Sequence, residues 1–295
     1  MSTHQPPMPQ ASAAAPDWQA APGGPFPGYN SPIPIVRTHL GHALASEWTK
    51  IKSVRSTVWT LGMFVLLVIG IGLLIGTLVA SHAEPSDSGD GNPLTLGLFG
   101  LLLGSVCVIT LGVLTTASEY GTGMIRTTMT ACPSRARVLT AKAIVFFTLA
   151  FVVTLAASSL VAMAQASMLQ DAGVRPPSGA EWFKATVGIS LYVALLGLFS
   201  LLVGSVIRHS AGAITIMIGL VLAPLVIALF MAGSSSLVNV REWLLEYSIP
   251  SQMAVLYANP LTGSGPSGWD PLWIILGMTV VAYAGAYALL EKRDV

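Results

Sequence analysis

The chain has 295 residues, of which 53% are hydrophobic and 9% charged, against about 25% charged in an ordinary soluble domain. A surface so poor in charge excludes a free soluble globule. The 14 Lys and Arg nearly cancel the 13 Asp and Glu, which leaves no basic footprint for a nucleic-acid partner. The two cysteines, Cys107 in an apolar run and Cys132 in a polar loop, imply neither a disulfide framework nor metal or redox chemistry.

Residues 1–34 hold nine prolines among Ala, Gln and Gly without a hydrophobic period. That composition cannot offset its own ordering entropy, so a disordered cytoplasmic tail is expected. No basic segment followed by an apolar run occurs there, so it is not read as a signal peptide, and the first true apolar run is expected to stay as an anchor.

Residues 35–57 read as an interfacial helix. Val36, Leu40, Leu44, Trp48 and Ile51 recur at spacings of four and three, with Arg37, Lys50 and Lys52 on the remaining positions. The apolar stripe is expected at the acyl boundary, Trp48 and Trp59 at headgroup depth, and Lys50, Lys52 and Arg55 against anionic lipid. An ordinary basic flank of a first span accounts for the charges but not for the spacing.

A helix needs about 20 apolar residues to cross ~30 Å of hydrocarbon. Six intervals between charged side chains qualify, and trimming by polarity places spans near 58–80, 94–116, 139–164, 185–207, 211–232 and 271–290. Pro224 is expected to kink the fifth. A seventh charge-free interval, 247–269, is rejected because Pro250, Pro260 and Pro266 among several glycines break a membrane helix. The fold class is therefore all-α, a polytopic membrane protein of six transmembrane helices with both termini cytoplasmic.

Orientation follows from Lys and Arg, which resist translocation. With the N-terminus inside, eleven fall in cytoplasmic segments (Arg37, Lys50, Lys52, Arg55, Arg126, Arg135, Arg137, Lys142, Arg208, Lys292, Arg293) and three outside (Arg175, Lys184, Arg241). The first external loop carries Glu84, Asp87 and Asp90 and no basic residue. Glycines at 70, 72 and 76 and at 97, 100 and 104 mark faces where another helix can approach closely, whether in this chain or a second one.

The loop 117–138 between the second and third spans is the most polar and basic in the chain. Gly121 and Gly123 release the preceding span, residues 124–130 suit two helical turns with Arg126 outward, and Pro133 stops them. Ser134 then suits the cap of the next helix. The segment 233–270 before the last span holds two short helical patterns, 240–247 and 251–257, which fit either a surface loop or a partly inserted element.

Three features together carry a family resemblance: SEWTKIKSVRSTVWTL before the first span, SEYGTGMIRTTMTACPSRARVLTAK between the second and third, and the six-span plan with a long segment before the last. From Arg37 onward the chain resembles the permeases of type 2 ATP-binding cassette exporters, in particular those of actinobacteria. The resemblance implies a half-transporter in the bacterial cell membrane, with a connecting helix before the first span and a coupling helix against a separate ATPase subunit. Carried over by position, Glu119, Thr122, Ile125, Arg126 and Thr127 are its implied contacts, with Arg135 and Lys142 in the stretch that re-enters the membrane. It also implies a second permease copy or a paralogue as partner, a small-molecule or lipid-like substrate among the membrane lipids, and re-entrant helices capping the external gate.

No G-x-x-x-x-G-K-[ST] string occurs, so no ATPase chemistry is expected in this chain; ATP and magnesium belong to the partner. The residues 265–268 fit the G-x-S-G string of a membrane serine protease, but no His follows His209, and a turn is the simpler reading. His39 and His42 share a helix face without a visible third metal ligand. The trimmed spans are read as holding no ionisable relay, which counts against an ion-coupled carrier or channel. A non-transporting membrane-assembly or signalling subunit is a second alternative.

Overall fold

A computed structural model describes residues 39–82, 92–132, 134–171, 174–233 and 235–292. The proline-rich tail, the acidic loop at 84–90 and Val36 of the amphipathic stretch lie outside the described residues. The described chain contains no strand and is built from eleven helices. They are α1 (Leu40–Ser53), α2 (Arg55–His82), α3 (Gly97–Gly121), α4 (Met124–Ala131), α5 (Arg135–Asp171), α6 (Gly179–Phe183), α7 (Ile189–Ile207), α8 (Ser210–Phe230), α9 (Val238–Glu246), α10 (Ile249–Leu256) and α11 (Asp270–Lys292). A 3₁₀ turn, Pro93–Leu96, leads into α3, and a π-helical turn, Lys184–Gly188, joins α6 to α7 in one continuous stretch.

Among the described residues, six stretches are long and apolar enough to cross a membrane: Arg55–His82, Pro93–Gly121, Arg135–Gln170, Gly179–Ile207, Ser210–Phe230 and Asp270–Lys292. Each overlaps one of the six spans read from the sequence, and all six begin earlier than polarity alone suggests. Charged and polar residues in the first and last turns leave the hydrocarbon without breaking the helix, so trimming by polarity shortens real helices. α8 runs on through Pro224.

α3 and α7 form the centre, and small residues set how closely they pack. A Cβ at Gly112 of α3 would run into the carbonyl oxygen of Gly197 on α7. A Cβ at Gly104 would meet Phe64 at 3.0 Å, and one at Gly72 would meet Val161 at 2.7 Å. These glycine faces therefore pack within the chain, whereas Gly70 faces open space. Around this centre the large buried side chains Phe64, Ile109, Phe146, Tyr192, Leu196 and Leu201 fill the core.

The segment before α11 folds back into the bundle. All eight residues of α10 are buried, and Ser248 Oγ accepts from the backbone N–H of Ser251 at its start. The short helical pattern read at 251–257 is α10, which begins two residues earlier; Pro250 sits in its first turn, where its missing N–H has no intrahelical partner to lose. Asn92 donates from its side-chain amide to the Tyr257 carbonyl at 3.0 Å, tying this inserted element to the start of α3.

One end of the bundle gathers α1, the α3–α5 connection, the α7–α8 turn and the last residues of α11. Arg135 donates to the Leu290 carbonyl at 2.6 Å, and the Arg208 guanidinium lies 4.8 Å from the Tyr120 ring centre. The charge bias assigned these segments to one side of the membrane, and they do meet at one end.

Candidate functional site: a charged junction at one end of the bundle

Glu47 and Lys50 are three residues apart and share the face of α1 turned toward the bundle. Glu119 stands on the last turns of α3 and Lys142 two turns into α5. The four close a ring. Lys142 Nζ lies 2.8 Å from Glu47 Oε2 and 2.8 Å from Glu119 Oε1, while Lys50 Nζ lies 2.8 Å from Glu47 Oε1 and 3.1 Å from Glu119 Oε1. Lys50 also donates to Thr128 Oγ1 of α4 at 3.2 Å, and Lys142 to the Thr115 carbonyl at 3.3 Å. Four helices are thus joined through one set of side chains.

Two acids and two bases make the ring formally neutral, which is what allows Glu47, Glu119 and Lys142 to be buried. Burial opposes ionisation of Glu47, yet Lys142 and Lys50 together hold its carboxyl below the usual carboxylate range. Burial likewise opposes the charge on Lys50, and the two glutamates hold its ammonium above the usual lysine range. Glu119 Oε2 is buried and has no hydrogen-bond partner among the described residues.

The expectation that the spans hold no ionisable group is overturned by Lys142, which lies inside the third span even as bounded from the sequence and is 4% exposed. It is tolerated because two carboxylates reach it from α1 and α3. Lys50, expected against lipid, points inward for the same reason. Arg55 opens α2 rather than belonging to α1, because Val54 takes an extended backbone between them. Lys52 and Trp48 do face outward, with the ammonium 4.9 Å from the indole centre, and Leu40 is exposed on the same helix. The inward face of α1 is therefore its charged one.

Gly123, at φ 72, turns the chain into α4, a conformation that costs glycine nothing. α4 is held to the body by Ile125, which is buried, and by Thr128. Of the residues carried over as partner contacts, Thr122, Arg126 and Thr127 are exposed, whereas Glu119 and Ile125 are buried and Arg135 is turned to the end of α11. A cleft of about 390 Å³ separates α1 from α4, lined by His42, Glu47, Lys50, Met124, Thr127 and Cys132. A second, of about 600 Å³, opens beside the start of α4 between Tyr120, Thr122, Arg126 and Arg208.

Sequence reasoning missed Glu47 and Thr128. Glu47 falls on the polar stripe beside Lys50, so the i, i+3 pair was visible; that it faced inward was not. His39 and His42 stack with ring centres 3.8 Å apart, and no group of three His, Cys, Asp or Glu suited to a metal occurs among the described residues. Ser267 lies in a turn in which its backbone N–H donates to Asp270 Oδ2 at 3.0 Å, between Gly265 and Gly268 at positive φ.

Six apolar spans, a helix before the first and a short helix packed between the second and third define a polytopic membrane domain. The chain matches the family model of the ABC-2 family transporter proteins over residues 51–295, and it belongs to that family. It is accordingly the permease subunit of an ABC transporter, a membrane protein that works with an ABC ATPase subunit. No curated protein matched the chain. The match begins at Ile51, so Glu47 and Lys50 precede it while Glu119 and Lys142 lie within it.

Proposed function

We propose that this chain is the membrane half of an exporter, and that the ATPase grips the outer face of α4 through Thr122, Arg126 and Thr127. The observation that supports this reading most is the ring of Glu47, Lys50, Glu119 and Lys142 directly beneath that face. A push on α4 reaches Lys50 through Thr128, and Lys50 and Lys142 pass it to α1, α3 and α5 together. A unit so joined moves as one body rather than deforming, which is what converts closure of a docked motor into a tilt of spans.

In this reading the junction end is cytoplasmic, ATP and magnesium are bound by the ATPase, and a second copy or a paralogue completes the pathway in the bacterial cell membrane. A hydrophobic or amphipathic small molecule or lipid-like compound suits spans whose polar groups, away from the junction, are uncharged. Arg126, beside Arg208 at the second cleft, gives the docking face a positive rim that suits acidic side chains on the partner.

The test is ATP-driven uptake into inverted vesicles, or export from cells, by the permease co-expressed with its ATPase. Transport that requires ATP and persists when a proton ionophore collapses the gradient supports the reading. An ion-coupled carrier has one observation in its favour, the buried Lys142 with Glu119; it predicts the opposite, transport lost to the ionophore while ATP is maintained.

A further inference from the structure

At the end of the bundle opposite the charged ring, a groove of about 460 Å³ runs between α5, α7 and α11. Its walls are apolar: Phe147, Leu191, Leu195, Leu272, Trp273 and Leu276, with Trp269 at the rim. From Trp269 to Leu276 it follows about 10 Å of helix axis toward the middle of the bundle. Trp273 is 70% exposed, so the groove opens sideways, where a bilayer places its acyl chains.

The rim carries a positive charge. Lys184 Nζ lies 5.9 Å from the ring centre of Trp269, and no carboxylate pairs with it among the described residues. Two acids on the adjoining segments are engaged elsewhere: Glu181 pairs with Arg175 at 2.6 Å, and Asp270 accepts from the Ser267 N–H. The indole is held in place by Phe183 against its edge, with centres 5.8 Å apart, and by Gly188, where a Cβ would lie 3.1 Å from the ring. An apolar slot topped by a fixed aromatic ring and an unneutralised ammonium matches one ligand class in a membrane.

We infer that this groove is a binding site for an anionic phospholipid, whose acyl chain lies along α11 and whose phosphate meets Lys184. Trp269 separates the two regions, its ring between the charged head and the chain. A zwitterionic lipid fills the slot equally well but gains nothing net from the lysine.

The full-length permease in nanodiscs, doped with phosphatidylglycerol or phosphatidylcholine bearing brominated chains, tests this through quenching of Trp273, isolated by subtracting a Trp273→Phe variant. About fivefold tighter association of phosphatidylglycerol is expected, equivalent to the ~1 kcal/mol that one basic residue contributes at an anionic surface. Lys184→Arg should keep the preference, and Lys184→Gln should lose it while phosphatidylcholine quenching stays unchanged. Equal quenching by both lipids in the unmodified protein overturns the inference, as does a preference that survives Lys184→Gln. Absence of Trp273 quenching by either lipid also overturns it, since the groove is then covered by another copy or another protein.

Discussion

Glu47 Oε2 and Lys142 Nζ lie 2.8 Å apart although 95 residues separate them in the chain, and both side chains are 4% exposed. The pair fastens α1, which precedes the first span, to the third span. It joins Lys50 and Glu119 in one ring of two acids and two bases, formally neutral as a whole.

Removing one member leaves a buried charge uncompensated, which costs ~3–5 kcal/mol. Lys142→Met should therefore lower the melting temperature of the detergent-purified permease sharply. Lys142→Met with Glu119→Gln restores neutrality across the ring and should recover at least half the loss. A single variant as stable as the parent would show that the ring contributes nothing.

The ring should also set the pH range of stability. The Glu47 carboxyl is held below its ordinary value of 4.5, so its contribution is full above 4.5 and is lost as pH falls through the lower folded value. Lys50 is held above 10.5, so its contribution is full below 10.5 and is lost as pH rises through the higher folded value. The melting temperature should fall away below pH 4.5, and Glu47→Gln should flatten that acid limb while lowering the plateau. Thermal scans in a pH series distinguish the two effects.

The close approach of α3 and α7 gives a contrast between glycines of the same type. Gly112→Ala places a methyl group against the Gly197 carbonyl and should cost ~1–3 kcal/mol. Gly219→Ala, on α8 with open space around it, should be neutral or slightly stabilising. Paired melting curves check this directly.

Arg135 donates to the last turn of α11 through the Leu290 carbonyl, a charge-assisted bond of ~1.5–3 kcal/mol. Arg135→Leu should leave that turn open, seen as faster amide hydrogen exchange at residues 288–292 with the middle of α11 unchanged.

The spans were legible because the bilayer imposes a length on apolar runs and the segments between charges met it six times. The short helix after Gly123 was legible from its breakers. Two things were hidden. The first was the inward turn of Lys50 and the burial of Glu119 and Lys142, since a charged residue near a span end reads the same whether it faces headgroups or a partner brought by tertiary packing. The second was the burial of α10: its short helical pattern fits a surface element as well as an inserted one, and only its packing against α3, α7 and α11 decides between them. The π-helical turn at Lys184–Gly188 leaves no mark in the apolar period.

The docking face we propose is separable from the ring beneath it, because Arg126 and Thr127 are exposed while Glu47, Glu119 and Lys142 are buried. The most direct test is co-purification of the ATPase with a permease carrying Arg126→Glu and Thr127→Glu, alongside its melting temperature. The account predicts about tenfold or greater loss of the ATPase, the effect of removing one strong interface contact, with the melting temperature unchanged. Undiminished co-purification of the ATPase with that variant would contradict it.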